Sequence, residues 1–287
     1  MDLCNLNDIR ALLQRHGFRF SKGLGQNFLC DPTVPEDIAA GAGIDGQTCV
    51  LEVGPGIGCL TEQLCARAQK VVSIELDARL APVLAETMAG QHNFRLVQGD
   101  VLKTDLAALC GREFGEARAV ACANLPYYIT TPAIAALLEC RRFAAVTVMV
   151  QREVARRICA RPGTADYGAF SVFVQWHTSP AVILEVGRQC FVPSPKVDSS
   201  VVRLDVRQKP PAEVCDERLF FRVVKAAFAQ RRKTLLNCLS MAFAGSFTKE
   251  EMENCIKSCG IDPGVRGETL DIAQFAGLSN QIGRLKV

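Results

Sequence analysis

From about Thr48 onward, short runs of Val, Ile and Leu alternate with longer segments whose apolar residues recur at helical spacing. This alternation predicts a parallel β-sheet with helical crossovers, because parallel neighbours cannot be joined by a tight hairpin. The strands are almost continuously apolar, as expected for a sheet covered on both faces. The predicted strands are Cys49–Val53, Val71–Glu75, Phe94–Val97, Ala119–Cys122 and Ala144–Val150.

The composition changes near residues 203–211, where charged residues and the pair Pro210-Pro211 interrupt the alternation. Such a change indicates a domain boundary, and beyond it every strong apolar pattern has helical spacing. A length of 287 residues suits one large domain and one small domain. We therefore predict an α/β, Rossmann-like domain over residues 1–207, including a basic N-terminal segment, and a smaller all-helical domain over residues 208–287.

Composition excludes several classes of protein. With 49% hydrophobic and 22% charged residues, the chain resembles ordinary globular proteins. No apolar run reaches the roughly 18 residues of a membrane span, and the first residues do not resemble a signal peptide, so we expect a cytoplasmic protein. The 14 cysteines lie in apolar stretches and predict small buried side chains. Cys255 and Cys259 have no second pair to complete a zinc site, so no metal is predicted.

A glycine-rich turn, Gly54-Pro-Gly-Ile-Gly58, follows the first predicted strand. Glycine permits a tight turn and a close approach of a ligand to the backbone, although a plain strand-to-helix connection could have the same sequence. Glu75 ends the next strand, about 20 residues on, where a carboxylate can accept hydrogen bonds from two ribose hydroxyls. Asp100 follows the strand after that. All three features are expected at the carboxyl edge of one sheet, where such folds bind ligands.

These residues predict an adenosine-bearing ligand. The glycine spacing is G-x-G-x-G, whereas dinucleotide-binding turns usually have G-x-G-x-x-G. Glu52, just before the turn, suits a cationic or zwitterionic ligand better than a diphosphate. S-adenosylmethionine, with its sulfonium and amino groups, meets both conditions.

The segment Asn124-Leu-Pro-Tyr127 follows the fourth predicted strand. The exocyclic amine of adenine is a weak nucleophile because its lone pair is delocalised into the ring. The Asn124 side-chain oxygen and the carbonyl of Leu125 or Pro126 could accept the two amino hydrogens and redirect that lone pair. Tyr127 offers a ring on which a base can stack. Alone, the segment could equally be an ordinary turn after a strand.

Together with five further segments, these motifs resemble the ribosomal RNA adenine dimethyltransferases, most closely the group that acts on small-subunit RNA. The resemblance covers nearly the whole chain. The further segments are Ser21–Leu29, Gln151–Val154, Tyr167-Gly168, Phe191–Ser199 and Ala227–Leu235. It implies an S-adenosylmethionine-dependent methyltransferase that dimethylates N6 of two adjacent adenosines near the 3′ end of 16S ribosomal RNA and contributes to small-subunit biogenesis.

The resemblance also implies roles for individual residues. The cofactor is expected at Asn27 and Leu29 (methionine end), Gly54 (turn), Glu75 (ribose), Asp100 and Val101 (adenine), and Asn124. The target base is expected at Asn124, Leu125, Pro126 and Tyr127, with Phe191 sandwiching it against Tyr127.

Basic residues are expected to bind the RNA phosphates around the target base. Any one of them could instead belong to a solvated helix face. The predicted RNA contacts are Lys22, Arg152, Arg156, Arg222, Arg231, Arg232 and Lys233. The predicted partner is 16S ribosomal RNA or a small-subunit precursor, and a monomer is the default oligomeric state.

Three alternatives stay open at this point. The first is a methyltransferase of large-subunit RNA, although the Arg-Arg-Lys-Thr-Leu segment (231–235) and the extended C-terminal region favour the small-subunit group. The second is a non-catalytic RNA- or DNA-binding assembly or transcription factor, against which the intact Asn124–Tyr127 segment and Glu75 argue. The third is a nicotinamide dehydrogenase, disfavoured by the glycine spacing and by the lack of an evident hydride-transfer histidine.

Overall fold

A computed structural model describes residues 1–18 and 25–285. The chain divides into two compact units, the first formed by Met1–Ala155 with Ser179–Val206 and the second by Arg156–Thr178 with the chain from Arg207 onward. The sequence predicted one boundary at residue 207. Residues 156–178, which that prediction gave to the first domain, belong to the second unit instead.

The first unit contains a seven-stranded mixed sheet, which confirms the predicted Rossmann-like fold class. The five predicted strands are present, with ends within two residues of those predicted. The strands of this sheet are β2 (Cys49–Val53), β3 (Lys70–Glu75), β4 (Phe94–Gln98), β5 (Ala119–Asn124), β6 (Ala145–Gln151), β7 (Thr178–Val186) and β9 (Ser199–Val206). Their order is β4-β3-β2-β5-β6-β9-β7. The strands from β4 to β6 in that order are parallel, and β9 is antiparallel to β6.

Helices α1 (Leu6–Arg15) and α2 (Thr33–Gly41) precede β2 in the chain. The crossovers between consecutive parallel strands are α3 (Cys59–Cys65), α4 (Ala81–Thr87), α5 (Leu106–Phe114) and α6 (Thr130–Glu139), and α7 (Arg152–Ile158) follows β6. Every residue of β2 is buried, as expected for a strand in the middle of a covered sheet.

Strand β9 was not predicted, because its second half is charged. Arg203 and Asp205 lie on this strand with their charged groups 2.9 Å apart. Their neighbours Val202 and Leu204 are buried. The second half of the strand therefore alternates between core and more exposed residues, and the charge that suggested a linker from residue 203 belongs to its outer face.

A separate two-stranded ribbon completes the first unit. Its strands are β1 (Phe28–Leu29) and β8 (Phe191–Val192), which pair antiparallel with Leu29 opposite Phe191. Two segments that are far apart in the sequence, and that were both expected at the site, are thereby joined.

The second unit is helical, as predicted for the C-terminal region. Its helices are α8 (Ala169–His177), α9 (Glu217–Ala227), α10 (Leu235–Ala242), α11 (Lys249–Ser258) and α12 (Ile272–Arg284). Helix α9 buries Phe220, Val223, Val224 and Ala227, the spacing of an apolar helix face. Trp176 of α8 stacks on Phe220, which explains why residues 156–178 belong to this core.

Three features of the fold bear on function. No helix within residues 1–18 and 25–285 is long and apolar enough to cross a membrane. All 14 cysteines are free thiols, most of them buried. In the same described ranges, no three His, Cys, Asp or Glu side chains are grouped so as to hold a metal ion.

Candidate active site

One cavity of the first unit brings together the residues expected to bind the cofactor and the target base. It lies at the carboxyl ends of the parallel strands, the edge at which such folds bind ligands. Its lining includes Asn27, Leu29, Gly54, Glu75, Asp100, Val101, Asn124, Leu125, Pro126, Tyr127 and Phe191. The structure therefore brings these residues together in one cavity.

The glycine turn needs glycine for two reasons. Gly54 and Gly56 have φ angles of +67° and +61°, a region that other residues rarely adopt. A Cβ atom on Gly56 would also lie 3.1 Å from the ring of Phe28. The turn therefore passes close beneath the ribbon strand β1 at the edge of the cavity.

Glu75 ends β3 and is almost fully buried at the cavity wall. One carboxylate oxygen accepts a hydrogen bond from the Asp77 amide at 2.8 Å, and the other accepts one from the Gly56 amide at 3.4 Å. Burial raises the pKa of Glu75, and the two amide hydrogen bonds oppose that shift. Each carboxylate oxygen has two acceptor positions, so capacity remains for two hydroxyl donors of a ligand.

Glu52 is a buried carboxyl group that is only partly satisfied. Its Oε2 accepts hydrogen bonds from Ser73 at 2.6 Å and from Thr61 at 2.8 Å. Its Oε1 is buried and has no hydrogen-bond partner in the described part of the chain, and the residue lines the cavity. Burial raises the pKa of Glu52 to about 7. A cationic group in the cavity would favour the ionised form.

Asp100 follows β4, and its side chain shapes the next turn. Its Oδ1 accepts a hydrogen bond from the Leu102 amide at 2.9 Å. Val101 is buried between these two residues, while Leu102 and Leu76 are exposed apolar side chains that also line the cavity. Polar acceptors and apolar surface thus occur together, as a purine ring requires.

The segment Asn124–Tyr127 continues from β5 into a 3₁₀ turn at Tyr127–Ile129. The Pro126 carbonyl already accepts a hydrogen bond from the Ile129 amide at 3.1 Å. The Thr130 hydroxyl, with its single hydrogen, lies 3.4 Å from this carbonyl and 3.2 Å from that of Tyr127. No described residue donates to the Leu125 carbonyl or bonds to the Asn124 side chain. The Leu125 carbonyl therefore has both of its acceptor positions available beside Asn124, whereas the Pro126 carbonyl has one in use, which favours Leu125 as the backbone acceptor.

Tyr127 and Phe191 both line the cavity, from different elements. The Tyr127 hydroxyl lies 2.8 Å from the Ser199 hydroxyl at the start of β9. Sequence reasoning gave Ser199 no role, although it ends the Phe191–Ser199 segment of the family resemblance. No sequence signal shows which side chain it contacts.

The N-terminal segment reaches the cavity through Asn27 and Leu29. The Asn27 amide donates to the Gly25 carbonyl at 3.1 Å. The neighbouring Gln26 donates to Asp77 at 2.8 Å, two residues after Glu75. This contact ties the segment to the end of β3, and sequence reasoning missed it because its partners are about 50 residues apart.

The predicted RNA-binding residues are divided between the two units. Lys22 lies outside the described residues. Arg152, in the first unit, is ion-paired with Glu185 and Asp198. The other predicted contacts belong to the second unit and are exposed; they are Arg156, Arg222, Arg231, Arg232 and Lys233.

Two of the exposed arginines of the second unit have partners. The Arg231 guanidinium donates to the Ala165 carbonyl at 2.6 Å and lies 3.4 Å from Glu268. Arg222 lies 4.4 Å from the ring centre of Phe243 and donates to the Ala242 carbonyl. Arg232 forms no ion pair with any described residue, so it is the freest of the three to contact a phosphate.

The sheet order and the cavity at its carboxyl edge define a Rossmann-like methyltransferase. Solved structures agree. The chain is similar to a dimethyladenosine transferase from Plasmodium falciparum, with TM-score 0.74 and 25% identity, covering 90% of this chain and 98% of that one. It is also similar to the 23S rRNA methyltransferase ErmE, with TM-score 0.66 and 26% identity, covering 89% and 99%.

Sequence comparisons assign the family. Residues 17–283 match the family described as ribosomal RNA adenine dimethylase. The chain is 49% identical, over 284 residues, to the ribosomal RNA small subunit methyltransferase A of Geobacillus thermodenitrificans, covering 98% of this chain and 97% of the relative. The chain belongs to the ribosomal RNA adenine dimethylase family and is an rRNA adenine dimethyltransferase, which confirms the resemblance found in the sequence.

Proposed function

We propose that this protein transfers methyl groups from S-adenosylmethionine to N6 of two adjacent adenosines near the 3′ end of 16S ribosomal RNA. The observation that carries the proposal is a pair of free acceptors, the Asn124 side chain and the Leu125 carbonyl, in a cavity that also contains Glu75 and Asp100. The residues proposed to bind the cofactor and those proposed to bind the target amine therefore line the same cavity.

The cavity residues suit S-adenosylmethionine. Glu75 has acceptor capacity for the two ribose hydroxyls, and Asp100 with Val101 is proposed to meet the adenine. The unpartnered Glu52 Oε1 is a buried acceptor in a cavity wall, which favours a ligand with a positively charged group. Asn27 and Leu29 are proposed to border the methionine end, and Gly54 the turn beside it. When bound, this cofactor supplies an electrophilic methyl group.

The chain's own contribution to the reaction is to orient the acceptor. Asn124 Oδ1 and the Leu125 carbonyl are proposed to accept the two amino hydrogens of the target adenine, so that the lone pair of N6 is no longer shared with the ring. Tyr127 and Phe191 are proposed to hold the base by stacking. Orientation of this kind can lower a barrier by several kcal/mol without a general base.

The small subunit is favoured as the substrate because the relatives that match nearly the whole chain at 45–49% identity are named as small-subunit methyltransferases. The large-subunit enzyme ErmE matches at 26% identity. A role in small-subunit biogenesis and a cytoplasmic location belong to the same proposal, since the substrate would be met during ribosome assembly. A monomer stays the default oligomeric state.

The test supplies labelled S-adenosylmethionine with small or large ribosomal subunits that lack adenine methylation. Labelling of small-subunit RNA alone supports the proposal. Labelling of large-subunit RNA alone would replace it with the large-subunit alternative. No labelling of either, together with no cofactor binding, would leave a non-catalytic RNA-binding protein.

A further inference from the structure

The ring of Tyr127 is held at its hydroxyl. This hydroxyl lies 2.8 Å from that of Ser199, a fully buried residue that begins β9 and pairs with Gln151 of β6. The contact limits the rotation of a side chain that would otherwise lose rotamer freedom only when a base arrives.

The same short segment also reaches the other aromatic wall. Asp198, immediately before Ser199, accepts a hydrogen bond from the Arg188 amide at 3.0 Å, three residues before Phe191. The Asp198 carboxylate is in turn paired with Arg152 at 3.2 Å. Consecutive residues of one segment thus contact Tyr127 itself and the 3₁₀ turn, Arg188–Cys190, that immediately precedes Phe191.

We propose that Ser199 is a positioning residue, which fixes the Tyr127 ring through the hydroxyl contact so that its face is ready to stack on the target adenine. This inference rests on the proposed function, since it gives Ser199 a role through the base that Tyr127 binds. Ser199 itself does not line the cavity. Its effect on methyl transfer therefore passes through the Tyr127 hydroxyl.

The chain provides a closely matched control. Ser200 is the next residue of the same strand, is equally buried, and also forms a 2.8 Å hydrogen bond through its hydroxyl. Its partner is Glu185, which does not line the cavity. Ser199→Ala and Ser200→Ala each remove one hydrogen bond of a buried hydroxyl. Because the partner of Ser200 is a carboxylate, the thermal unfolding midpoint should fall at least as far in Ser200→Ala as in Ser199→Ala.

The first comparison measures methylation of unmethylated small subunits together with cofactor affinity. Ser199→Ala should lower kcat/KM for the RNA by about 3- to 10-fold, the range expected for one ordering hydrogen bond. It should leave the cofactor Kd unchanged. Ser200→Ala should keep kcat/KM within about twofold of the wild type. Equal losses in the two variants would overturn the positioning role.

The second comparison uses Tyr127→Phe, which keeps the ring and removes the hydroxyl. Each single substitution should lower kcat/KM for the RNA. If Ser199 acts through that hydroxyl, adding Ser199→Ala to Tyr127→Phe should lower kcat/KM no further. An undiminished effect of Ser199→Ala in the Tyr127→Phe background would contradict the proposal even if Ser199→Ala alone folds poorly. A wild-type protein that methylates no adenosine would instead overturn the proposed function.

Discussion

The Glu75 carboxylate lies 3.4 Å from the backbone amide of Gly56, so the end of β3 is joined directly to the glycine turn that follows β2. The contact links two motifs that are 19 residues apart in the sequence. A residue proposed to hold the ribose therefore also helps to hold the turn beside it. Loss of Glu75 should affect cofactor binding through both routes.

Glu75→Ala should raise the cofactor Kd by at least about tenfold, because it removes a charged acceptor of the kind worth about 1.5–3 kcal/mol per hydrogen bond. Isothermal titration with S-adenosylmethionine measures the change. Glu116→Ala, at an exposed carboxylate that does not line the cavity, is the matched control and should bind normally. An unchanged Kd for Glu75→Ala would remove Glu75 from the cofactor site.

Asn124→Ala should lower kcat by about 100-fold or more while the cofactor Kd stays within about threefold, because orientation of the amine matters mainly in the transition state. Single-turnover methylation of small-subunit RNA gives the rate, and cofactor titration of the same variant shows whether the site is intact. A turnover close to that of the wild type would exclude the proposed role.

Glu52 should make stability depend on pH. Burial raises the pKa of Glu52 from 4.5 to about 7. Between these two pH values Glu52 is therefore protonated in the folded protein and ionised in the unfolded chain. The contribution of Glu52 to the free energy of unfolding is therefore fully present below pH 4.5 and is lost as the pH rises through about 7. The groups that face it are Glu75, Cys65 and Cys122.

Glu52→Gln keeps an acceptor for Ser73 and Thr61 but cannot ionise. The free energy of unfolding of Glu52→Gln minus that of the wild type should be about 2 kcal/mol larger at pH 8 than at pH 5. Urea denaturation of both proteins at the two pH values provides the measurement. A stability difference that is the same at pH 5 and pH 8 would show that Glu52 is ionised throughout.

Much of this site follows from sequence because it depends on local patterns. Gly54, Glu75, Asp100 and Asn124 each lie at or just after the end of a predicted strand, and the carboxyl ends of parallel strands meet at one edge. The choice between Leu125 and Pro126 as the backbone acceptor could not be made in the same way. It depends on the hydrogen bond from the Ile129 amide to the Pro126 carbonyl, which exists only once the 3₁₀ turn is formed.

Other features depend on packing between distant segments. Residues 156–178 join the second unit because Trp176 stacks on Phe220, a contact that no local pattern indicates. The start of β9 is similar, because the two adjacent serines 199 and 200 are equivalent in the sequence. Only the fold gives one of them Tyr127 as a partner and the other Glu185.

Arg232→Ala should weaken binding to small-subunit RNA and reduce the slope of log K against log salt by roughly 0.7–0.9, the change expected for one lost phosphate contact. Binding measured at several salt concentrations tests this. Arg67→Ala, at an arginine near Glu36 with no proposed RNA contact, is the control. An unaltered slope for Arg232→Ala would show that Arg232 is a solvated residue of the turn between α9 and α10 with no phosphate contact.

The most direct measurement is the identity of the methylated nucleoside. Small subunits lacking the modification would be incubated with the protein and labelled S-adenosylmethionine, and the RNA digested to nucleosides for mass analysis. We expect N6,N6-dimethyladenosine at two adjacent positions with the wild type and at neither with Asn124→Ala. Label on another nucleoside, or on another atom of adenosine, would contradict the assignment of Asn124 and Leu125 as acceptors for the N6 amine.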